Sequence, residues 1–272
     1  MKKQLVPLIC LIGLIIPGVG YSQLPAPKNG RTYIIAHRGA HQGIPENSLP
    51  AYQKAIELGC DFVEIDVRTT LDRQFVSVHN STIDAYVEGK TGKVKDMTLA
   101  ALKALDIGAK VGEQWKNTRI PTFEEILSLC QGKIGIYLDL KDADPEMLLP
   151  LIRKYQMEED IVWFIYGSDH KNISKVQDNC LNCFPMPDPG KERNLKRVLK
   201  KYQPKVVASG MRHCSLSFSD KVHKKEALLF VDESKNSLQD LEAEWKKMID
   251  WGIDGIQTDQ PKELIRFLNN LN

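Results

Sequence analysis

The chain has 272 residues, of which 42% are hydrophobic and 26% are charged, and its formal net charge at pH 7 is +2. This composition is ordinary for a globular protein and is enough for one large core or two small ones. A charge so close to zero implies neither nucleic acid nor a strongly anionic surface as a partner. We therefore expect the basic stretches at 191–205 and 221–225 to be solvated faces, with a polyanion site as the alternative.

The first residues have the pattern of a targeting segment. A short positive region, Lys2-Lys3, precedes an apolar stretch over 5–19, and Gly20-Tyr21-Ser22 then supplies small residues where a signal peptidase reads them. We predict a signal peptide over 1–22. A membrane anchor is the alternative, but glycines and prolines interrupt the apolar stretch, which is shorter than the ~20 residues of a spanning helix. The prediction is an exported protein, periplasmic or extracellular, without a stable membrane anchor after cleavage.

Five cysteines would remain after removal of that segment. Their number is odd and their spacing irregular, which does not indicate a disulfide framework. Cys180 and Cys183 are the one local pair. They are either a disulfide, as an oxidising compartment allows, or two inert thiols.

Short β-rich runs alternate with helical patterns along the rest of the chain. The predicted strands are 32–36, 62–67, 75–79, 134–140, 161–166, 206–208, 228–231 and 255–257. The predicted helices are 49–58, 96–105, 122–129, 146–155, 194–202 and 238–250. Such alternation is typical of a parallel sheet with crossover helices.

About eight strands in this length predict one α/β domain over 23–272, a (β/α)8 TIM barrel. A doubly wound open sheet is the alternative, but no glycine-rich dinucleotide loop follows the first strand. The segment 80–121 has little regular pattern and is long for a loop. We predict that it is a small insertion after the third predicted strand.

Charged side chains are confined to the carboxyl ends of three predicted strands. Because side chains alternate faces along a strand, Glu64 and Asp66 share one face, and Asp139 and Lys141 share another with Tyr137. In each strand the opposite face is aliphatic. A sheet with one wet face would also alternate, but the confinement of charge to strand ends favours a site at the mouth of a barrel.

Two kinds of chemistry are indicated at that mouth. Glu64, Asp66 and Asp139 offer only oxygen ligands, which suit one hard divalent cation, Mg²⁺ or Ca²⁺. Without a cation the three carboxylates would repel one another.

The basic residues complete the set. Arg38 and Lys141 are donors suited to a phosphate, and His37 and His79, from different strands, suit an acid and a base. A cation, two positive donors and two histidines together favour phosphodiester cleavage.

Several of these motifs resemble the glycerophosphodiester phosphodiesterase family, and the resemblance spans nearly the whole chain after the predicted signal peptide. The runs that carry it are His37-Arg38-Gly39, Pro45-Glu46-Asn47, Val63-Glu64-Ile65-Asp66-Val67, Val78-His79, Leu138-Asp139-Leu140-Lys141 and Trp251-Gly252-Ile253-Asp254-Gly255-Ile256-Gln257-Thr258-Asp259. The resemblance implies a TIM-barrel hydrolase that cleaves a small glycerophosphodiester to sn-glycerol 3-phosphate and an alcohol with one divalent cation.

The same resemblance implies a role for each residue. It makes His37 and His79 the catalytic acid and base, and it makes Glu46 a supporting residue. It assigns the phosphate to Arg38 and Lys141. The implied metal ligands are Glu64, Asp66 and Asp139.

Three positions depart from the family pattern. Asp139 stands where Glu is common, Asn80 follows His79 where Asp is usual, and 230–233 replaces a Trp-Thr-Val-Asn-like run. Two other functions therefore stay open: a related phosphodiesterase acting on lysophospholipids or sphingolipids, and a secreted protein that binds a phosphodiester without turnover. Neither the alcohol head group nor the oligomeric state can be read from the sequence.

Overall fold

The computed structural model describes residues 23–235 and 237–271, so the predicted signal peptide lies outside the described residues. Eight parallel strands form a nearly closed barrel with helices between them, which confirms the (β/α)8 TIM barrel. In the described ranges no helix is long and apolar enough to cross a membrane.

The elements are numbered in chain order. The strands are β1 (Tyr33–Ala36), β2 (Phe62–Thr69), β3 (Phe75–Ser77), β4 (Gly135–Leu140), β5 (Ile161–Tyr166), β6 (Phe184–Asp188), β7 (Val206–Gly210), β8 (Leu228–Asp232) and β9 (Gly255–Thr258). The α-helices are α1 (Leu49–Leu58), α2 (Leu99–Lys103), α3 (Phe123–Cys130), α4 (Pro145–Lys154), α5 (His170–Asn179), α6 (Glu192–Tyr202), α7 (Leu216–His223), α8 (Leu238–Asp250) and α9 (Pro261–Asn269). Short 3₁₀ turns lie at Val94–Asp96, Glu113–Trp115 and Met211–His213.

The barrel strands follow the order β6-β5-β4-β2-β1-β9-β8-β7, and β6 contacts β7 across the remaining seam. Strand β3 pairs antiparallel with β2 outside this path, so the predicted strand at 75–79 is not a barrel strand. The eighth barrel strand is β6, which the pattern missed because Pro185 and Pro187 resemble loop residues. Proline is tolerated where one side of a strand carries no ladder, and the seam beside β6 meets that condition.

Aromatic rings fill the barrel interior at the end remote from the predicted site. Tyr33, Phe62 and Phe230 contact one another with ring centroids 5.2 to 5.9 Å apart. Two glycines make room for them: Gly135 on β4 is the register partner of Phe62, and Gly255 on β9 is the register partner of Phe230. A Cβ on Gly135 or on Gly255 would lie 2.5 Å from the ring of Phe62 or Phe230, respectively.

Local signals account for the helix next to the site. Ser48 caps α1 by accepting a hydrogen bond from the backbone of Ala51, and Gly59 ends the helix in the left-handed region at φ 78°. This is the helix expected over 49–58. Helices α5, α7 and α9 were missed, although Leu264 and Leu268 of α9 are buried at the i, i+4 spacing of a helix face.

The segment 80–121 forms a small layer over β3 with its own apolar cluster. Ile83, Val94, Leu102 and Ile120 are buried there against Val76 of β3. The predicted helix at 96–105 is reduced to a 3₁₀ turn and the short α2. Elsewhere, Cys180 and Cys183, for which the sequence allowed two states, form a disulfide.

Two glycine substitutions test the interior packing. We expect Gly255→Ala to lower the free energy of unfolding by about 1–3 kcal/mol, because the new methyl group would overlap the Phe230 ring. Urea denaturation measures the change. Gly210→Ala is the matched control, since its φ is −80° and no atom lies within 4 Å of an added Cβ. Equal stability of the two variants would contradict the packing.

Candidate active site

The carboxyl ends of the barrel strands bring the predicted site residues together. Alternation along β2 and β4 turns their charged residues to the same interior face, and the loop after β1 adds two more. All eight predicted residues lie at this mouth: His37, Arg38, Glu46, Glu64, Asp66, His79, Asp139 and Lys141.

Three carboxylates form the centre of the site. Asp66 and Asp139 are register partners on neighbouring strands, and one oxygen from each of Glu64, Asp66 and Asp139 lies within 4.8 Å of the others. Glu64 accepts a hydrogen bond of 2.7 Å from the backbone N–H of Arg38. Burial, followed by the negative charge of Asp66, raises the pKa of Glu64 well above its usual value. The cluster thus concentrates negative charge away from water.

Lys141 lies against two of these carboxylates. Its Nζ is 2.9 Å from Asp66 Oδ1 and 2.5 Å from Asp139 Oδ2. Burial opposes ionisation of Asp66, but the ammonium group of Lys141 outweighs it and holds the pKa of Asp66 below its usual value. Burial raises the pKa of Asp139 despite the same neighbour.

A sharp turn aims the Arg38 side chain. Arg38 itself has φ 53°, and Gly39 has φ 86° with no room for a Cβ, which would lie 2.8 Å from Ala51. The guanidinium donates to both carboxylate oxygens of Glu46 at 3.1 Å, and its Nε is 3.8 Å from Asp66. Glu46 therefore orients Arg38, which gives that supporting residue a physical role.

A buried hydrogen-bond network fixes Asp66 from behind. Asn47, with φ 50°, donates from its side chain to Asp66 Oδ2 at 2.7 Å. The side-chain oxygen Oδ1 of Asn47 accepts hydrogen bonds from the Tyr52 hydroxyl at 2.9 Å and from the Ser77 hydroxyl at 2.8 Å. Since all four side chains are buried, the carboxylate has little freedom to move.

His79 lies just beyond β3 and not within it, contrary to the predicted strand over 75–79. Its Nδ1 is 2.9 Å from Asn80 Oδ1. The guanidinium of Arg68 donates to the backbone oxygen of His79 at 2.6 Å and also pairs with Asp142 at 2.9 Å. The loop that presents the ring is thereby tied to β2.

His37 has a charged partner that the sequence did not assign. Its Nδ1 is 2.7 Å from Asp259 Oδ1, and the same oxygen is 3.0 Å from His41 Nε2. Burial opposes protonation of His37, but Asp259 and Glu64 outweigh it and raise the pKa of His37 to about 9. The two histidines hold the pKa of Asp259 far below its usual value, against the effect of burial. Asp259 follows β9, so its place after a barrel strand was the available signal.

Two further carboxylates line the other side of the mouth. Asp188 ends β6 and Asp232 ends β8, at alternating positions that face inward. Burial and the nearby Asp188 and Asp139 raise the pKa of Asp232 to about 7, although His37 opposes the shift. Burial also raises the pKa of Asp188. Sequence analysis missed both, because β6 was not predicted and the β8 strand was ended one residue early.

A cleft of about 530 Å³ opens beside Arg38. The loop after β1 forms one wall and the segment 80–121 forms the other. Trp115 Nε1 donates to the carbonyl of Gly43 at 2.6 Å and so holds the two walls together. The side chains of Tyr86 and Lys110, from the inserted segment, line the cleft. The cleft offers space for a ligand beside Arg38, whose Nε lies 3.8 Å from Asp66.

The fold and the site define an enzyme of the (β/α)8 class, with acidic, basic and histidine side chains converging at the carboxyl ends of the strands. Comparison with known proteins identifies the family. The model of the Glycerophosphoryl diester phosphodiesterase family matches residues 37–263. A glycerophosphodiester phosphodiesterase of Caldanaerobacter subterraneus is 31% identical over 253 residues, which cover 88% of this chain and 98% of that protein.

Solved structures share the fold. A phosphodiesterase of Oleispira antarctica, in complex with the product sn-glycerol-3-phosphate, has a TM-score of 0.76 at 19% identity and covers 88% of this chain and 97% of its own. A glycerophosphoryl diester phosphodiesterase of Parabacteroides distasonis has a TM-score of 0.75 at 22% identity. The match covers 92% of this chain and 90% of that protein. The chain belongs to the glycerophosphoryl diester phosphodiesterase family and is therefore a phosphoric diester hydrolase.

Replacing Asp259 tests the His37 pair. In metal-free protein, His37 should titrate near pH 9, and Asp259→Asn should move its midpoint towards the ordinary 6.5, as followed by NMR of the ring. Because the folded-state pKa is raised, the pair stabilises the fold fully below pH 6.5, and this stability is lost as the pH rises through about 9. Asp254→Asn, which removes the partner of His223 at the other end of the barrel, is the control. An unchanged His37 midpoint in Asp259→Asn would refute the pairing.

Proposed function

We propose that the domain over 23–272 hydrolyses small glycerophosphodiesters to sn-glycerol 3-phosphate and an alcohol, using one divalent cation and a pair of histidines. The observation that carries the proposal is the cluster of Glu64, Asp66 and Asp139, which lies within electrostatic reach of both His37 and His79. Family membership and the sn-glycerol-3-phosphate bound to the Oleispira antarctica protein support the substrate class.

The residues present fit a hard cation. Glu64, Asp66 and Asp139 are oxygen donors within 4.8 Å of one another. Burial first, and then the negative charge of Asp66, raises the pKa of Glu64, and a cation would offset that charge. Bound there, Mg²⁺ or Ca²⁺ would stabilise the negative charge that develops on the phosphoryl oxygens. Asp139 is one methylene shorter than the Glu that the family resemblance leads us to expect, but it still offers a carboxylate oxygen to a cation.

Arg38 and Lys141 provide the positive charge for the phosphate group. Glu46 holds the guanidinium of Arg38 at the edge of the cleft, where a planar donor can take two phosphate oxygens. The ammonium of Lys141 lies against Asp66 and Asp139, so it can reach an anion placed beside the carboxylate cluster.

The two histidines have different hydrogen-bond partners, and this difference suggests which is the acid and which is the base. Asp259 favours the charged form of His37, whose Nε2–H can then donate to the leaving oxygen. Asn80 Oδ1, a neutral acceptor 2.9 Å from Nδ1 of His79, orients that ring without adding charge beside it, and we propose that Nε2 of His79 takes the proton from the attacking oxygen. We assign His37 as the acid and His79 as the base on this ground.

Export of the mature protein is part of the proposal. The signal peptide predicted over 1–22 supports it, and so does the Cys180–Cys183 disulfide, since such bonds persist in oxidising compartments.

An assay with several diesters tests the activity. We expect the mature protein to release glycerol 3-phosphate from at least one of glycerophosphocholine, glycerophosphoethanolamine and glycerophosphoinositol. His37→Ala or His79→Ala should lower kcat by about 10²–10⁴-fold, the usual contribution of a general acid or base. His223→Ala, whose ring pairs with Asp254 away from the mouth, should retain full activity. No turnover with any diester would favour a binding protein, and cleavage of lysophospholipids alone would favour the lipid phosphodiesterase.

Removal of the cation gives a separate test. EDTA should abolish the activity, and Mg²⁺ or Ca²⁺ should restore it. The double variant Glu64→Gln/Asp66→Asn should show no calorimetric binding of the restoring ion, because two of three charged ligands are gone. Turnover that survives both EDTA and the double substitution would remove the cation from the mechanism.

Export is tested by expressing the full chain with its first residues intact. Mass spectrometry of the protein outside the cytoplasm should give Gln23 as the first residue. A product that retains residues 1–22 in the membrane fraction would instead support an anchor.

A further inference from the structure

The structure joins two basic stretches that are separate in the sequence. Residues 191–226 contain eleven Lys and Arg against three Asp and Glu, whereas the whole chain has 37 against 35. The remainder is therefore acidic, with 26 against 32. Helices α6 and α7 pack against each other, so the stretches at 191–205 and 221–225 meet along one groove.

Lysines dominate the lining of this groove, whose volume is about 940 Å³. The lysines are Lys196, Lys200, Lys205, Lys221, Lys224 and Lys225. Glu226 is the one acidic residue among the lining residues, and Leu195 and Leu199 form a buried apolar floor. Six ammonium groups around one groove repel one another, and an anionic partner would relieve that repulsion.

Local interactions account for only part of this charge. Lys200 lies in the last turn of α6, where a cation offsets the helix dipole, and Lys221 pairs with Glu192 at 2.6 Å. Lys196 lies in the middle of α6, and Lys224 and Lys225 come at or after the end of α7. A helix end favours one or two cations, so the dipole does not explain six.

The groove lies at the opposite end of the barrel from the active site. Lys205 immediately precedes β7, and Glu226 comes two residues before β8, so the lining residues surround the amino ends of these strands. The catalytic groups lie at the carboxyl ends. A partner bound at the groove would therefore leave the mouth open to a soluble substrate.

We propose that this groove docks the enzyme on the surface of an anionic phospholipid bilayer. A bilayer presents many phosphate groups in one plane, and each lysine close to such a surface contributes about 1 kcal/mol. Proteins that bind single-stranded nucleic acid place aromatic rings in their basic grooves, and the lining residues described here include none. The docking is electrostatic and reversible, and it requires no membrane-spanning segment.

Vesicle binding tests the proposal. Protein comprising residues 23–272 should co-sediment at low salt with vesicles of phosphatidylglycerol and phosphatidylcholine. It should not co-sediment with pure phosphatidylcholine vesicles, nor with the mixed vesicles at about 0.5 M salt, which screens the charges. Lys200→Glu/Lys224→Glu should weaken binding at least ~25-fold, from about 1 kcal/mol for each lysine. Its hydrolysis of soluble glycerophosphodiesters should equal that of the wild type.

A charge-matched variant separates the groove from net charge. Lys54→Glu/Lys95→Glu changes the net charge equally at exposed sites on α1 and in the inserted segment, and it should bind vesicles like the wild type. Equal weakening by both double variants, or no binding of wild type to anionic vesicles at low salt, would overturn the proposal. Tighter binding to DNA than to vesicles would also overturn it and assign the groove to nucleic acid. Hydrolysis is measured separately, so failure of the catalytic proposal would leave the binding result intact.

Discussion

Mutual repulsion among three carboxylates is the constraint on which the active site depends. Glu64 and Asp66 are buried, and Asp139 is their neighbour across the β2–β4 ladder. Such a cluster is unfavourable unless positive charge and hydrogen bonds offset it. Lys141 and the backbone N–H of Arg38 do so. The proposed cation would add to this compensation, so the groups that stabilise the cluster in the fold are also those that the proposed function assigns to the charged ligands.

Charge separation extends this constraint over the whole barrel. The carboxyl ends of the strands collect Asp139, Asp188, Asp232 and Asp259, whereas lysines gather at the amino ends of β7 and β8. The net charge of +2 conceals this arrangement, because acidic and basic regions cancel in the sum. The topology produces the separation, since all eight barrel strands point the same way and each sends its two ends to opposite faces.

Sequence reasoning succeeded where the determinants are local. Period-two alternation put Glu64 and Asp66 on one face, and the helix predicted over 49–58 has the same bounds as α1, which Ser48 caps and Gly59 ends. It failed for features that depend on how the closed barrel brings distant parts of the chain together. Strand β6 depends on a seam that tolerates its prolines, and the contact between His37 and Asp259 joins residues 222 positions apart. Nothing near His37 in the chain could reveal that partner.

The two histidines differ in the charge of their partners, and this difference bears on the family departure at Asn80. An Asp at that position would place a full negative charge next to the ring of His79. The amide orients the ring at 2.9 Å without that charge. His37 keeps its charged partner in Asp259, so the site contains one ring held towards its cationic form and one beside a neutral group. In the proposed mechanism one ring gives a proton and the other takes one, and unequal partners suit such unequal roles, so Asn80 in place of Asp is compatible with that proposal.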